Sequence, residues 1–174
     1  INGTHNRTDF DLTRHQEYSG VSQEYFDPET NEKYIPYIIE STYGLDRTVL
    51  AILFNSYNKE TLPSGEEREV MKFHPYLAPY KVTILPLIKK YHSQKAKELY
   101  KELSKSFMCS YDDSGNIGKR YRRSDITGTP FALTIDDETL NNDTVTIRDR
   151  DTMEQITLKV SEVVKYIEER IKLD

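Results

Sequence analysis

Ile35-Pro36-Tyr37-Ile38-Ile39-Glu40-Ser41-Thr42-Tyr43-Gly44-Leu45-Asp46-Arg47, continuing as Thr48-Val49-Leu50-Ala51-Ile52-Leu53-Phe54, is the stretch from which the rest of the chain is read. It predicts a buried strand, a tight glycine turn and a helix. Ile35 to Ile39 is an apolar run of strand length, and Leu45, Val49, Ile52 and Leu53 then recur at helical spacing. The period changes at Gly44. A carboxylate, Glu40, stands at the strand's end, and Arg47 stands in the first helical turn, where the helix dipole already disfavours a cation. Uncovered amides at a helix N-terminus together with a guanidinium form a site suited to phosphate oxygens. Glu40 beside such a site is placed either to pair with Arg47 or to hold an ammonium group.

Working outward, 174 residues suffice for one good-sized domain or two small ones, and 36% hydrophobic with 30% charged residues is the composition of a soluble globular protein. No apolar run approaches the ~20 residues of a membrane span, and no secretory leader pattern opens the chain. The expectation is a cytoplasmic protein. The chain opens on Ile1-Asn2-Gly3, as though cut from something longer. Cys109, the one cysteine, reads as a small buried residue. His5, His15, His74 and His92 have no partner at metal-ligand spacing, so no protein metal site is expected. No Gly-x-Ser-x-Gly elbow is present, and Gly115-Asn116-Ile117-Gly118-Lys119-Arg120 is too short for a phosphate-binding loop. A net charge of -5 does not predict a nucleic-acid binder, yet Lys119, Arg120, Arg122 and Arg123 put four cations in five residues.

Before the opening stretch, residues 13–18 predict a short helix capped by Thr13, and Asp27 to Glu32 a turn joining strands Gln23–Phe26 and Lys33–Ile39. This is part of an antiparallel sheet that cannot close a core by itself. After it, residues 58–69 read as an exposed connection, Val70–Phe73 as a strand, and His74-Pro75-Tyr76-Leu77-Ala78-Pro79 as a linker. The expected domains are 1–78 and 79–174. The second alternates strand Tyr80–Leu85, a helix capped by Ser93, strand Phe107–Tyr111, basic helix Ile117–Ile126, strands Phe131–Ile135, Thr144–Arg148 and Gln155–Val160, and a helix capped by Ser161. Helical crossovers predict a mixed sheet covered by helices, an α/β fold.

Tyr111 and Tyr121 bring aromatic faces toward the basic helix, the pairing that stacks unpaired RNA bases. Thr144-Val145-Thr146-Ile147-Arg148-Asp149-Arg150-Asp151 ends a strand in groups that can hydrogen bond base edges, or pair with one another on the surface.

These segments, in this order, resemble the C-terminal part of a class II glycyl-tRNA synthetase. Asn6-Arg7-Thr8-Asp9-Phe10-Asp11-Leu12, Tyr25-Phe26-Asp27-Pro28 and Tyr34-Ile35-Pro36-Tyr37 resemble the family's last catalytic strands. Gly44-Leu45-Asp46-Arg47 is similar to class II motif 3. Ile117 to Arg123, Gly128-Thr129-Pro130 and Thr144 to Asp151 resemble its anticodon-binding domain. The resemblance implies an α+β whole, the end of an antiparallel class II catalytic sheet followed by a mixed-sheet α/β anticodon-binding domain. It implies ligation of glycine to tRNA(Gly) through glycyl-adenylate, with ATP and Mg2+. Glu40 and Arg47 become the catalytic pair, Glu40 receiving the glycine ammonium and Arg47 the ATP phosphates. Glu40, Ser41, Thr42, Tyr43 and Gly44 line the glycine site; Gly44, Leu45, Asp46, Arg47 and Ile1 line the ATP site. Lys119, Arg120, Arg122, Arg123, Arg148, Asp149 and Arg150 face the anticodon. Thr42 stands where the family usually has serine and Ser41 where it usually has proline; Ile126 and Thr127 depart from an acidic-apolar pair. Motif 1, which builds a homodimer, and motif 2 belong before Ile1, so the chain alone is expected to be inactive. The competing expectation is a non-catalytic nucleic-acid-binding accessory protein, against which Glu40 and Arg47 argue; a related synthetase for another amino acid is disfavoured by Glu40 with a small hydroxyl at Thr42.

Overall fold

A computed structural model describes residues 2–173; Ile1, assigned above to the ATP site, lies outside them. The chain divides into two compact units, 1–51 and 52–174.

In the first unit, β1 (Asn2–Asn6) pairs antiparallel with β4 (Ile39–Tyr43), with Gly3 opposite Thr42 and His5 opposite Glu40. Between them lie α1 (Phe10–Ser19) and the hairpin of β2 (Tyr25–Asp27) and β3 (Glu32–Tyr34). None of residues 2–51 is buried. A two-stranded sheet with no covered face is marginal by itself, as the polar composition implied. The expected buried strand Ile35–Ile39 is corrected: the ladder begins at Ile39, which is exposed. Thr13 does not cap α1; Asp9 occupies that position and makes no side-chain cap.

The helix α2 (Leu45–Ser56) begins after Gly44 as expected, its first turn closed by the Thr48 amide on the Gly44 carbonyl at 2.9 Å. Residues 57–71 are a hairpin, β5 (Tyr57–Thr61) with β6 (Glu67–Met71), rather than an exposed connection. It belongs to the second unit, because Arg68 is fully buried against Asp125. The division by compactness thus falls well before the 78/79 boundary read from the prolines.

The second unit is a five-stranded mixed sheet in the order β11-β10-β9-β7-β8, from β7 (Val82–Pro86), β8 (Cys109–Tyr111), β9 (Phe131–Ile135), β10 (Thr144–Asp149) and β11 (Gln155–Lys159). β8, β7 and β9 are parallel; β10 and β11 run antiparallel to the edge they extend. Every residue of β7 and β9 is buried, as expected of strands covered on both faces. On one face Val82, Ile84, Leu133 and Ile147 pack with Ala96 and Leu99 of α3 (Lys89–Leu103) and with Val163 and Ile167 of α6 (Val163–Arg170). On the other, Thr83 meets Ser124 of α4 (Ile117–Ile126). Residues 136–143, expected as a plain link, contain α5 (Asp137–Asn142), closed by a capping box between Asp136 and Thr139. Ser93 lies inside α3, whose first residue follows Ile88, and a 3-10 turn, Val160–Glu162, displaces Ser161 from the cap of α6. Among the described residues no helix is long and apolar enough to cross a membrane.

Candidate functional site

Strand alternation sorts the first group of predicted residues. Glu40 and Thr42 share one face of the β1–β4 pair with Gly3 and His5, while Ser41 and Tyr43 point to the other. There the Ser41 hydroxyl lies 3.3 Å from that of Thr4. The side chains of Ser41 and Tyr43, also expected at the glycine site, therefore lie on the face opposite Glu40. The His5 ring lies over Gly3, so close that a Cβ there would stand 2.6 Å from Nε2. Thr42 is 3.5 Å from the Gly3 carbonyl, a long contact that leaves its hydroxyl available.

Glu40 has its ion-pair partner in Arg7, at 3.6 Å, and not in Arg47. Arg7 is itself held by both oxygens of Asp11, each at 2.9 Å. That hydrogen bond holds the Asp11 carboxyl below the usual carboxylate range. Arg7 and Asp11 were not singled out as site residues; their four-residue spacing was the available signal. Arg47 is exposed, its stem lying within 3.5 Å of where a Gly44 Cβ would sit. Gly44 carries no side chain to cap the amides of Leu45, Asp46 and Arg47. The arrangement joins a carboxylate and a hydroxyl on one strand face to an uncapped helix start bearing an exposed guanidinium, a combination able to hold an ammonium and an anion.

The second group divides by burial. Asn116 caps α4, accepting from the Lys119 amide at 2.9 Å, and the helix turns Arg120, Ser124 and Asp125 inward. Arg120 donates to the carbonyls of Pro86, Asp113 and Gly115. Arg148 clasps Asp125 at 2.8 and 3.2 Å, and its guanidinium lies 4.9 Å from the Tyr121 ring centroid. Arg150 donates to the Gly128 and Phe73 carbonyls at 2.8 and 2.7 Å. Three of the arginines expected to face RNA are thus interior struts: backbone carbonyls, the buried Asp125 carboxylate and, for Arg150, the neighbouring Asp151 carboxylate occupy their donors. Asp149 is likewise committed, its carboxylate accepting from the amides of Asp151 and Thr152. Tyr111 packs edge-on against Tyr100, and Tyr121 bonds Thr134 at 2.7 Å beside Arg148, so neither ring stands free among exposed cations.

Lys119, Arg122 and Arg123 remain accessible. Arg122 reaches Glu66 at 3.2 Å and Arg123 reaches Asp112, while Lys119 has no ion-pair partner among the described residues. Among the described residues no group of three or more His, Cys, Asp or Glu could hold a metal ion.

Residues 81–170 match the family model described as anticodon binding domain. The chain is 55% identical over 98% of its length to a Glycine--tRNA ligase of Clostridium kluyveri, covering 36% of that protein. It is 52% identical over 97% of its length to one from Geobacillus kaustophilus, again covering 36%. The chain thus spans little more than a third of the length of these curated relatives. The crystal structure of the RNA binding domain of threonyl-tRNA synthetase from Cryptosporidium parvum Iowa II superposes with a TM-score of 0.65 over 84% of this chain and 34% of that one, at 22% identity, a likeness of fold. With more than half of its residues inside the matched segment, the chain belongs to the anticodon binding domain family.

Proposed function

We propose that the chain is a working part of a glycine–tRNA ligase, supplying anticodon recognition and one wall of the glycine and ATP sites. The single observation that carries this reading is 55% identity, across nearly the whole chain, to a protein of that name. In the proposed reaction a glycine carboxylate oxygen attacks the α-phosphorus of ATP, forming glycyl-adenylate and releasing pyrophosphate. The glycyl group then passes to the tRNA 3′ end, with AMP as leaving group. Glu40, steadied by Arg7, accepts hydrogen bonds from the glycine ammonium, and Thr42 on the same face closes the pocket against larger side chains. Arg47 and the uncapped start of α2 receive ATP phosphate oxygens. Catalysis in this reading is positioning and charge stabilisation, with no covalent enzyme intermediate. Magnesium would arrive with ATP. Lys119, Arg122 and Arg123 contact the anticodon loop. The reading places the enzyme in the cytoplasm as a homodimer.

The test is a chimera in which this chain replaces the matching segment of the Clostridium kluyveri ligase. Charging of tRNA(Gly) with glycine is expected, with Glu40→Gln raising KM for glycine far more than KM for ATP. A chimera that melts cooperatively yet does not charge, or a Glu40→Gln chimera with an unchanged glycine KM, contradicts the proposal.

A further inference from the structure

The sheet edge at β8 borders a cleft of about 640 Å3 on the α3 side of the strand. The strand's backbone is only half used. In a parallel ladder, groups facing the neighbour alternate along the strand with groups facing away. Ile84 lies opposite Tyr111, and the Ile84 carbonyl accepts from the Asp112 amide at 3.2 Å. Ser110 and Asp112 therefore turn their backbone groups toward β7, and Cys109 and Tyr111 turn theirs to the open edge. Among the described residues no turn, loop or side-chain group bonds these two N–H donors and two carbonyl acceptors. Tyr80 stands at one end of the cleft, and Tyr100 packs edge-on against Tyr111 with ring centroids 6.3 Å apart. Unpaired strand groups and aromatic surface thus lie side by side.

Charge and pairing together select the occupant. Lys89 and Lys95 of α3 reach Asp113 and Asp143 at 3.1 and 2.9 Å, whereas Lys97 and Lys101, one turn apart on the cleft side, have no ion-pair partner among the described residues. Glu98, also in the lining, accepts from the Gln94 amide at 2.8 Å. The two lysines leave the cleft suited to an anion. A row of phosphates would satisfy them but offers no donor to the Cys109 and Tyr111 carbonyls. A second copy of β8 would pair the edge but bring two sets of lysines together. An extended peptide supplies N–H and C=O groups alternately, and its side chains alternate between faces, so acidic residues on one face meet Lys97 and Lys101. Adding a strand to an exposed edge is a general mode of peptide recognition. Lysines beside an edge discourage neutral or basic strands, so acidic character is what selects the partner.

We propose that the β8 edge, with the cleft beside it, receives an extended acidic peptide as an added strand. The assignment rests on the edge's own chemistry and not on the ligase function. The test is an amide NMR titration of the full chain with acetyl-Glu-Val-Asp-Val-Glu-amide. The Cys109 and Tyr111 amides are expected to move and to exchange more slowly with solvent. Two further peptides, N-methylated either at the valines or at the acidic residues, keep the charge and block opposite edges of the added strand. One should bind about ten-fold more weakly than the other, the loss of two hydrogen bonds. Lys97→Gln together with Lys101→Gln should weaken the parent peptide about three- to ten-fold, the worth of two exposed ion pairs. Equal binding of the two methylated peptides overturns the proposal, because charge alone would then hold them. Cys109 and Tyr111 amides unmoved by the parent peptide, or moved as strongly by a short oligouridylate, overturn it as well. Each of these results leaves the ligase proposal standing, since that is read from charging of tRNA(Gly).

Discussion

Replacing Asp125 with asparagine perturbs the most heavily committed carboxylate in the second unit. Asp125 is 1% exposed and accepts three hydrogen bonds: from Arg68 Nε at 2.9 Å and from both terminal nitrogens of Arg148 at 2.8 and 3.2 Å. The side chains of Arg68 and Arg148 are 0% and 8% exposed. Each contact is worth ~4 kcal/mol of Coulomb attraction at an effective dielectric of ~20, much of it offset by desolvation. The variant keeps the shape and leaves the desolvation in place without the attraction. Arg68 retains Glu60 at 3.0 Å and the Arg150 carbonyl, whereas Arg148 retains the Tyr121 ring and, whichever way the amide turns, one neutral hydrogen bond to its oxygen. The loss therefore falls chiefly on Arg148, and removal of one partner from a buried pair costs about 3–5 kcal/mol. Urea unfolding, followed by the fluorescence of the 13 tyrosines in a chain with no tryptophan, measures the difference without screening the charges. Replacing Asp125, Arg68 and Arg148 together by apolar residues of similar volume should recover at least half of the loss. A change below about 1 kcal/mol for Asp125→Asn refutes the reasoning, since a buried pair that can be broken so cheaply is not buried or not paired.

Three further outcomes follow from local geometry. Burial pushes the Cys109 thiol up, so labelling by a thiol-specific disulfide reagent at pH 8 should be slow in the folded chain and complete in urea; rapid labelling of the folded chain contradicts its place in the core. Gly128→Ala should destabilise by about 1–3 kcal/mol, because Gly128 has φ +75° and an added Cβ would stand 2.3 Å from the Phe73 ring; Phe73→Ala in the same chain should relieve part of that, and simple additivity of the two losses contradicts the clash. The hydrogen bond to Arg7 lowers the folded-state pKa of Asp11, so its stabilising contribution is present above the unfolded value and disappears as pH falls through the folded one. Carboxyl NMR should place the Asp11 midpoint below the free value in the folded chain and return it upward in Arg7→Gln; an unchanged midpoint counts against the pair.

Local signals were legible where the chain's own neighbours decide the structure. Helix α4 begins at Ile117 because Asn116 supplies a cap and ends at Ile126 before Thr127-Gly128, and both limits can be read from the residues. Strand β9 is bounded by Pro130 and Asp136 in the same way. Non-local pairing was not legible. The apolar run Ile35–Ile39 has strand composition, yet the strand starts at Ile39 because β1, more than thirty residues earlier, sets the register. Ser93 carried a false cap signal: the Ile88 amide at the start of α3 donates instead to His92 Nδ1 at 3.0 Å, a cap supplied from inside the helix. The same limit governs the arginines. Lys119, Arg120, Arg122 and Arg123 are equivalent as a basic run, and only packing distinguishes Arg120, which gathers four carbonyls, from its more accessible neighbours. For Glu40 the residue type pointed to an ammonium site, while its actual support, Arg7, comes from the link after β1 that only the fold brings beside it.

In the function proposed above, the exposed cations of α4 read an anticodon while the buried arginines hold the frame. Its most direct test is the affinity of this chain for tRNA(Gly) and for the same tRNA with an exchanged anticodon, measured across a range of salt. The account predicts tighter binding of tRNA(Gly), with Lys119→Ala and Arg122→Ala each lowering the salt slope by roughly 0.7–1 while leaving the fold intact. Equal affinity for the two tRNAs, or a slope indifferent to both substitutions, would contradict it.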